Sequence, residues 1–154
     1  MRKIAFCALF LILLFNSSCS PQCQQWKIAV IKSNCPCATY TKVYLPTNNA
    51  FNGIDAVFIS CNGSVRLYFN ALTFLFVPFD DNPECSQVTL KINDQAHTFI
   101  AERLEGGQSL LLSEESTQLI VEALLEQTSV DVTAGRYQTI LIPDNFEKTY
   151  RALW

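Results

Sequence analysis

Ala56-Val57-Phe58-Ile59-Ser60-Cys61-Asn62-Gly63-Ser64-Val65-Arg66-Leu67-Tyr68-Phe69 sets two β-prone runs on either side of Asn62-Gly63. Asn-Gly suits a two-residue type I′ turn, because both central residues need positive φ and these two tolerate it best. The turn sets the register. Ser64 faces Cys61, Val65 faces Ser60, Leu67 faces Phe58 and Phe69 faces Ala56. Ala56, Phe58, Val65, Leu67 and Phe69 then share the core face, because a strand has a side-chain period of two. Ile59, Cys61, Arg66 and Tyr68 fall on the other.

Outward from this hairpin the chain continues to read as strands. Residues 26–32 form a first strand with Ile28 and Val30 on one face. Residues 39–45 alternate, with Tyr40, Lys42 and Tyr44 against Thr41, Val43 and Leu45, and are predicted to be an exposed or edge strand. Phe51-Asn52-Gly53 is a turn. Residues 70–79 hold the nearly unbroken apolar run Leu72, Phe74, Leu75, Phe76, Val77 and Phe79, predicted to be a strand buried on both faces; an exposed patch is the alternative. Residues 86–92 and 97–103 form a second hairpin around Asn93-Asp94-Gln95. Glu105-Gly106-Gly107 is a turn before Leu110-Leu111-Leu112.

Two helices close the chain. Ser113 caps a helix over 114–127, with Glu114 and Glu115 at its positive end. Ile120, Ala123, Leu124 and Gln127 line one side, with Leu119 beside them. A third hairpin spans 129–142. The last helix starts at 143–147, where Asp144 and Glu147 have capping-box spacing. Phe146, Tyr150, Leu153 and Trp154 recur as an aromatic-rich stripe that packs on the sheet. The fold class is therefore α+β and β-rich. It is an antiparallel sandwich or half-barrel of hairpins, with two helices in the C-terminal third.

Length and charge limit the function. The 154 residues suit one domain after an export signal is removed. Arg2-Lys3 precedes an apolar run over 4–15, too short for the roughly 20 residues of a membrane span and suited to a secretory signal. The organisation is then a signal over 1–18, a tether over 19–25 and one β-rich domain over 26–154. Without Arg2 and Lys3, nine basic residues face 14 acidic ones, a net charge of −5. An acidic domain argues against nucleic acid and against a polybasic membrane patch.

Asn16-Ser17-Ser18-Cys19 resembles the signal of a bacterial lipoprotein, small residues before a cysteine. That resemblance implies cleavage before Cys19, acylation of Cys19 and a membrane held through the lipid. The implied location is the bacterial cell envelope, facing the periplasm or the exterior. Ordinary cleavage nearby, giving a secreted protein, is the alternative.

Cys7 leaves with the signal. Cys23, Cys35, Cys37, Cys61 and Cys85 are disulfide candidates in an oxidising compartment. The preferred long-range pair is Cys61 with Cys85; Cys23 with Cys35 or Cys37 comes second. Cys35-Pro36-Cys37 lacks a second ligand pair for a four-ligand zinc site. No metal and no cofactor is expected.

Candidate chemistry is sparse. His97 is the single histidine and has no nucleophile motif beside it. Asp80, Asp81 and Glu84 are an acidic loop without a calcium-loop pattern. Glu102 and Glu105 have no positive warrant as an acid–base pair.

The C-terminal order resembles that of the invasion-associated locus B family of small exported bacterial proteins. It runs from a helix over 113–127 to strands near 130–132 and 137–142, then to the ending Phe146-x-x-x-Tyr150-x-Ala152. That resemblance implies an exported β-rich fold without established catalysis. The expected function is a non-catalytic interaction or structural module of the envelope, with an envelope protein as a possible partner. A secreted disulfide-stabilised binder or enzyme inhibitor is the alternative, ahead of a periplasmic hydrolase using His97.

Overall fold

The computed structural model describes residues 24–32, 40–61, 63–73 and 75–154. The expected signal, the expected acylation site Cys19, and Cys23, Cys35, Cys37, Asn62 and Phe74 of the expected buried strand lie outside the described residues. Nine strands form one antiparallel sheet: β1 (Lys27–Ile31), β2 (Tyr40–Leu45), β3 (Ile54–Cys61), β4 (Ser64–Ala71), β5 (Cys85–Ile92), β6 (Gln95–Arg103), β7 (Ser109–Leu111), β8 (Val130–Ala134) and β9 (Tyr137–Leu141). Their order is β1-β2-β3-β4-β7-β6-β5-β8-β9. Helix α1 (Glu114–Leu125) links β7 to β8, and α2 (Phe146–Tyr150) follows β9 and runs into a 3-10 turn, Arg151–Leu153. The single curled sheet makes the half-barrel, not the two-sheet sandwich, the expectation that holds.

The central hairpin has the register its turn dictates. Cys61 pairs with Ser64, Ser60 with Val65, Phe58 with Leu67 and Ala56 with Phe69. Gly63 has φ 79. Ala56, Phe58, Leu67 and Phe69 are fully buried, and Val65 packs against them. The β5–β6 turn uses the same device, with Asn93 at φ 49 and Asp94 at φ 66, both positive as a two-residue hairpin demands.

β2 is internal, between β1 and β3, which corrects the edge-strand expectation. Alternation along β2 does put Val43 and Leu45 in the core, but strand order is a long-range property that alternation does not encode.

The run after β4 is also not a buried strand. β4 and β5 are three places apart in the sheet, roughly 14 Å at about 4.8 Å per strand, with β7 and β6 between them. The connecting residues must therefore cross the ends of β7 and β6. Phe76 turns inward and is buried, its ring 5.1 Å from that of Tyr137. Leu72, Leu75 and Val77 stay exposed. The crossing is pinned through its backbone: Phe76 N donates to Gly107 O at 2.8 Å, Arg103 Nε to Phe76 O at 3.1 Å, and the buried Ser86 Oγ to Val77 O at 2.8 Å.

α1 packs on β4, β8 and α2. Ser113 caps it, its Oγ accepting from Ser116 N at 3.2 Å. The helix stops at Leu125, shorter than expected. Gln127 takes φ 61 and Thr128 N donates to Ala123 O at 2.9 Å, the left-handed closure of a helix end. Gln127 is thus a terminator rather than part of the buried face.

β1 and β9 are the two edges of the sheet, yet the residues beside them meet. The Trp26 indole N–H donates to Ile142 O at 2.7 Å. Trp26 N donates to Asn145 Oδ1 at 3.1 Å, and Asn145 Nδ2 donates to Trp26 O at 3.0 Å. One side-chain amide so satisfies both polar groups of one backbone residue, as a neighbouring strand would. Asn145 precedes α2 in the left-handed region, φ 56, and offers the helix no side-chain cap. The expected capping box of Asp144 and Glu147 is therefore absent: the residue at the cap position is Asn145, and its amide is committed to Trp26.

The Trp26 ring lies 4.9 Å from Phe146 and 5.7 Å from Phe58. Phe146 stacks on Tyr150 at 5.1 Å. The C-terminal stripe is thus mainly core, with Phe146 and Leu153 buried; Trp154 is exposed.

Asn145→Gly deletes the amide and tolerates the positive φ. It is expected to cost about 1–3 kcal/mol in urea unfolding, and Asn145→Ala about 1 kcal/mol more, because its Cβ is strained in that conformation. Tyr137 is buried and its hydroxyl meets no hydrogen-bond partner among the described residues. Tyr137→Phe is expected to leave stability unchanged or raise it by about 1 kcal/mol; a clear loss in the same assay would contradict the unpaired hydroxyl.

Candidate functional site

The residues with possible chemistry are not brought together. His97 is half-buried on β6, on the face shared with Phe99 and Ala101, and pairs in register with Leu90. Among the described residues no hydrogen bond joins it to a serine, cysteine or carboxylate. Asp80, Asp81 and Glu84 are exposed in the loop before β5. That loop is organised by Asn82 instead: Glu84 N donates to its Oδ1 at 3.0 Å, and Asn82 N donates to Phe79 O at 3.1 Å. Glu102 and Glu105 are exposed, one on β6 and one in the following turn. Among the described residues no group of three His, Cys, Asp or Glu side chains is placed to hold a metal ion.

Cys85 is a free thiol, with Asn82 Nδ2 3.4 Å from its sulfur. The expected Cys61–Cys85 bridge is therefore not formed. The ladder gives the reason. Three strands, β4, β7 and β6, separate β3 from β5, and Cys61 ends its strand on the side away from Cys85. A bridge needs Cα atoms within about 7 Å.

Two surfaces near the sheet's first strands stand out by their geometry, a groove and an edge. The first is a groove of about 550 Å³ at the β3–β4 hairpin tip, lined by Val65, Arg66, Glu114, Gln118, Tyr150 and Trp154 among others. It is open and shallow, with charged residues of both signs. Burial pushes the Tyr150 hydroxyl above the usual phenolic range. The phenolate is the disfavoured form here, so the folded state holds its proton more tightly than the unfolded chain does.

The second surface is the outer edge of β1. Ile28 is 46% and Val30 54% exposed, and Ile31 is exposed beside them. Among the described residues no strand pairs with this edge. Lys27 and Lys32 bracket it and are exposed. Edge strands normally carry charge or a bulge along their length to prevent pairing with another chain; here the charges stand only at the ends. Alternation showed that Ile28 and Val30 share a face. It did not show that the face is left open, because nothing local marks which side of a strand the sheet curls over.

No protein-family model matches the sequence, and neither a curated protein nor a solved structure matches it.

Stability is expected to be unaffected by Tyr150 below about pH 10, the ordinary tyrosine value, and to fall as pH rises from there through the higher folded-state value. Tyr150→Phe removes this part of the alkaline loss. Denaturant midpoints of the two proteins between pH 8 and pH 11 measure it; parallel curves would show that burial does not hold the proton.

Proposed function

We propose that the chain is an exported lipoprotein of the bacterial envelope, acylated at Cys19, and that its folded domain is a non-catalytic interaction module. The observation that carries the module reading is the open apolar edge of β1. Such an edge accepts an added strand through main-chain hydrogen bonds, with alternate side chains giving selectivity. Its occupant under this reading is an envelope protein with an extended segment. The sequence supports the anchor through Arg2-Lys3, the apolar run and the small residues before Cys19. The dispersal of His97 and the acidic residues fits a role that does not depend on them.

Intact-mass measurement of the chain from its own kind of envelope tests the anchor. The expected mass begins at Cys19 and includes acyl chains; an unmodified N-terminus in the medium would instead favour the secreted binder. Replacing Ile28 and Val30 by Lys tests the edge. These are exposed positions, where a substitution usually changes stability by less than about 0.5 kcal/mol. The variant is expected to keep its unfolding midpoint and to lose its cross-linked partner in intact cells. Undiminished cross-linking would remove the edge as the interaction site.

A further inference from the structure

Residues far apart in sequence build a second apolar surface at the end of the sheet where β3 begins and β4 ends. Phe51 is 73% exposed, Leu72 51%, Leu75 52% and Val77 60%. These side chains are not frayed loop tips. Asn49 Oδ1 accepts from Phe51 N at 3.0 Å and Asn52 N at 3.1 Å, fixing one turn. Gly53 closes that turn, and a Cβ there would collide with the Thr47 side chain and Asn49 O. Thr73 Oγ1 donates to Phe51 O at 2.9 Å, joining the turn to the crossing segment. Within the crossing segment Phe76 is the inward plug and its neighbours Leu75 and Val77 point out. The hydrogen bonds from Arg103 and Ser86 hold that alternation in place. Four large apolar side chains are thus kept in water by a rigid support, which a soluble surface does not require.

The start of the described chain lies beside them. Gln24 Nε2 donates to Pro46 O at 2.9 Å, and Thr47 N, one residue on, donates to Asp55 Oδ1 at 2.6 Å. Gln24, the first described residue, therefore lies at the end of the domain that carries Phe51. From Cys19 to Gln24 is five residues, at most roughly 18 Å of extended chain. An anchor so short leaves this end of the domain close to whatever holds it.

The geometry points to this apolar end as a membrane-docking face: Phe51, Leu72, Leu75 and Val77 enter the surface of a lipid bilayer beside the N-terminal anchor. The inference rests on the lipoprotein reading for the position of the bilayer. Its lipid is zwitterionic in the first instance, since Asp80, Asp81 and Glu84 stand exposed just past Val77 and would be repelled by an anionic surface. The docked domain stands with the β3–β4 tip, the groove and Trp154 directed away from the membrane.

Depth-dependent fluorescence quenching tests this. The full chain, purified in detergent, is reconstituted into phosphatidylcholine vesicles carrying bromine on the acyl chains. Trp154→Phe removes the exposed native indole and leaves the buried Trp26, whose emission in that variant is the background subtracted. Leu75→Trp on that background places a reporter in the face. An interfacial side chain reaches about 5–10 Å into the headgroup boundary, so bromines near the top of the acyl chain are expected to remove about half of the reporter's emission. The Trp154 emission, taken as the difference between the unaltered chain and Trp154→Phe, is expected to lose little. Val77→Trp repeats the measurement should Leu75→Trp not fold. Emission unchanged by brominated lipid at both positions overturns the docking face, as does equal quenching of Trp154. A dimer in detergent whose reporter stays unquenched in vesicles would assign the face to a second copy and also overturns it. Intact mass decides the anchor separately. An acylated chain with an unquenched reporter loses the docking face and keeps the lipoprotein reading; a non-acylated chain with a quenched reporter does the reverse.

Discussion

A single side-chain amide, that of Asn145, occupies the place of a tenth strand beside Trp26. Only asparagine suits this post. Aspartate has no N–H for Trp26 O, and a β-branched or bulky residue would resist φ 56. The two hydrogen bonds are worth only about 1 kcal/mol each. Burying Trp26, Phe58 and Phe146 contributes more, about 1.5–3 kcal/mol for a ring the size of Phe. The rings therefore supply most of the energy and the amide supplies the position. The amide fixes the depth of Trp26 together with the indole hydrogen bond to Ile142 O and the register of β1 on β2. The seat of α2, through Asn145 and Phe146, is tied to that depth.

The parts of the fold legible in sequence are those where two local codes agree. The β3–β4 hairpin has a turn dipeptide and an alternating pattern that give the same register. The start of α1 has a cap residue, acidic first-turn residues and a 3.6-residue period together. Illegible parts are those where a local signal was spent on a distant partner. Asn145 and Asp144 look like a helix start, but the Asn145 amide is used 119 residues away in sequence. Leu72 to Phe79 looks like a buried strand because hydrophobicity carries no direction. That the run lies across strand ends, with one ring in and its neighbours out, depends on β5 being three places from β4.

The candidate sites follow the same division. No motif joined His97, the acidic loop and the glutamates along the chain, and their separation in space was not legible there, because such groups assemble through the fold. The two apolar surfaces were only half visible, since Ile28 and Val30 read only as sharing a face, and Leu75 and Val77 as part of a buried strand with an exposed patch as the alternative. What separates them from core is where the sheet stops and how it curls, and neither is written in any window of ten residues. The cysteines are a further case. A bridge between Cys61 and Cys85 is reasonable along the chain and excluded across it, because the strand order interposes β4, β7 and β6.

The Trp26–Asn145 contact also has a consequence in time. Its partners lie at opposite ends of the domain, so it is among the contacts of highest sequence separation, the kind that slows folding. A ribosome adds about 5–20 residues per second, so Trp26 exists for roughly 6–24 s before Asn145 does. During that interval the backbone N–H and C=O of Trp26 lack their native hydrogen-bond partner. The closure between Trp26 and the last helix forms only after Asn145 has been made. The contact that joins the two ends of the domain is thus among the last that synthesis makes possible.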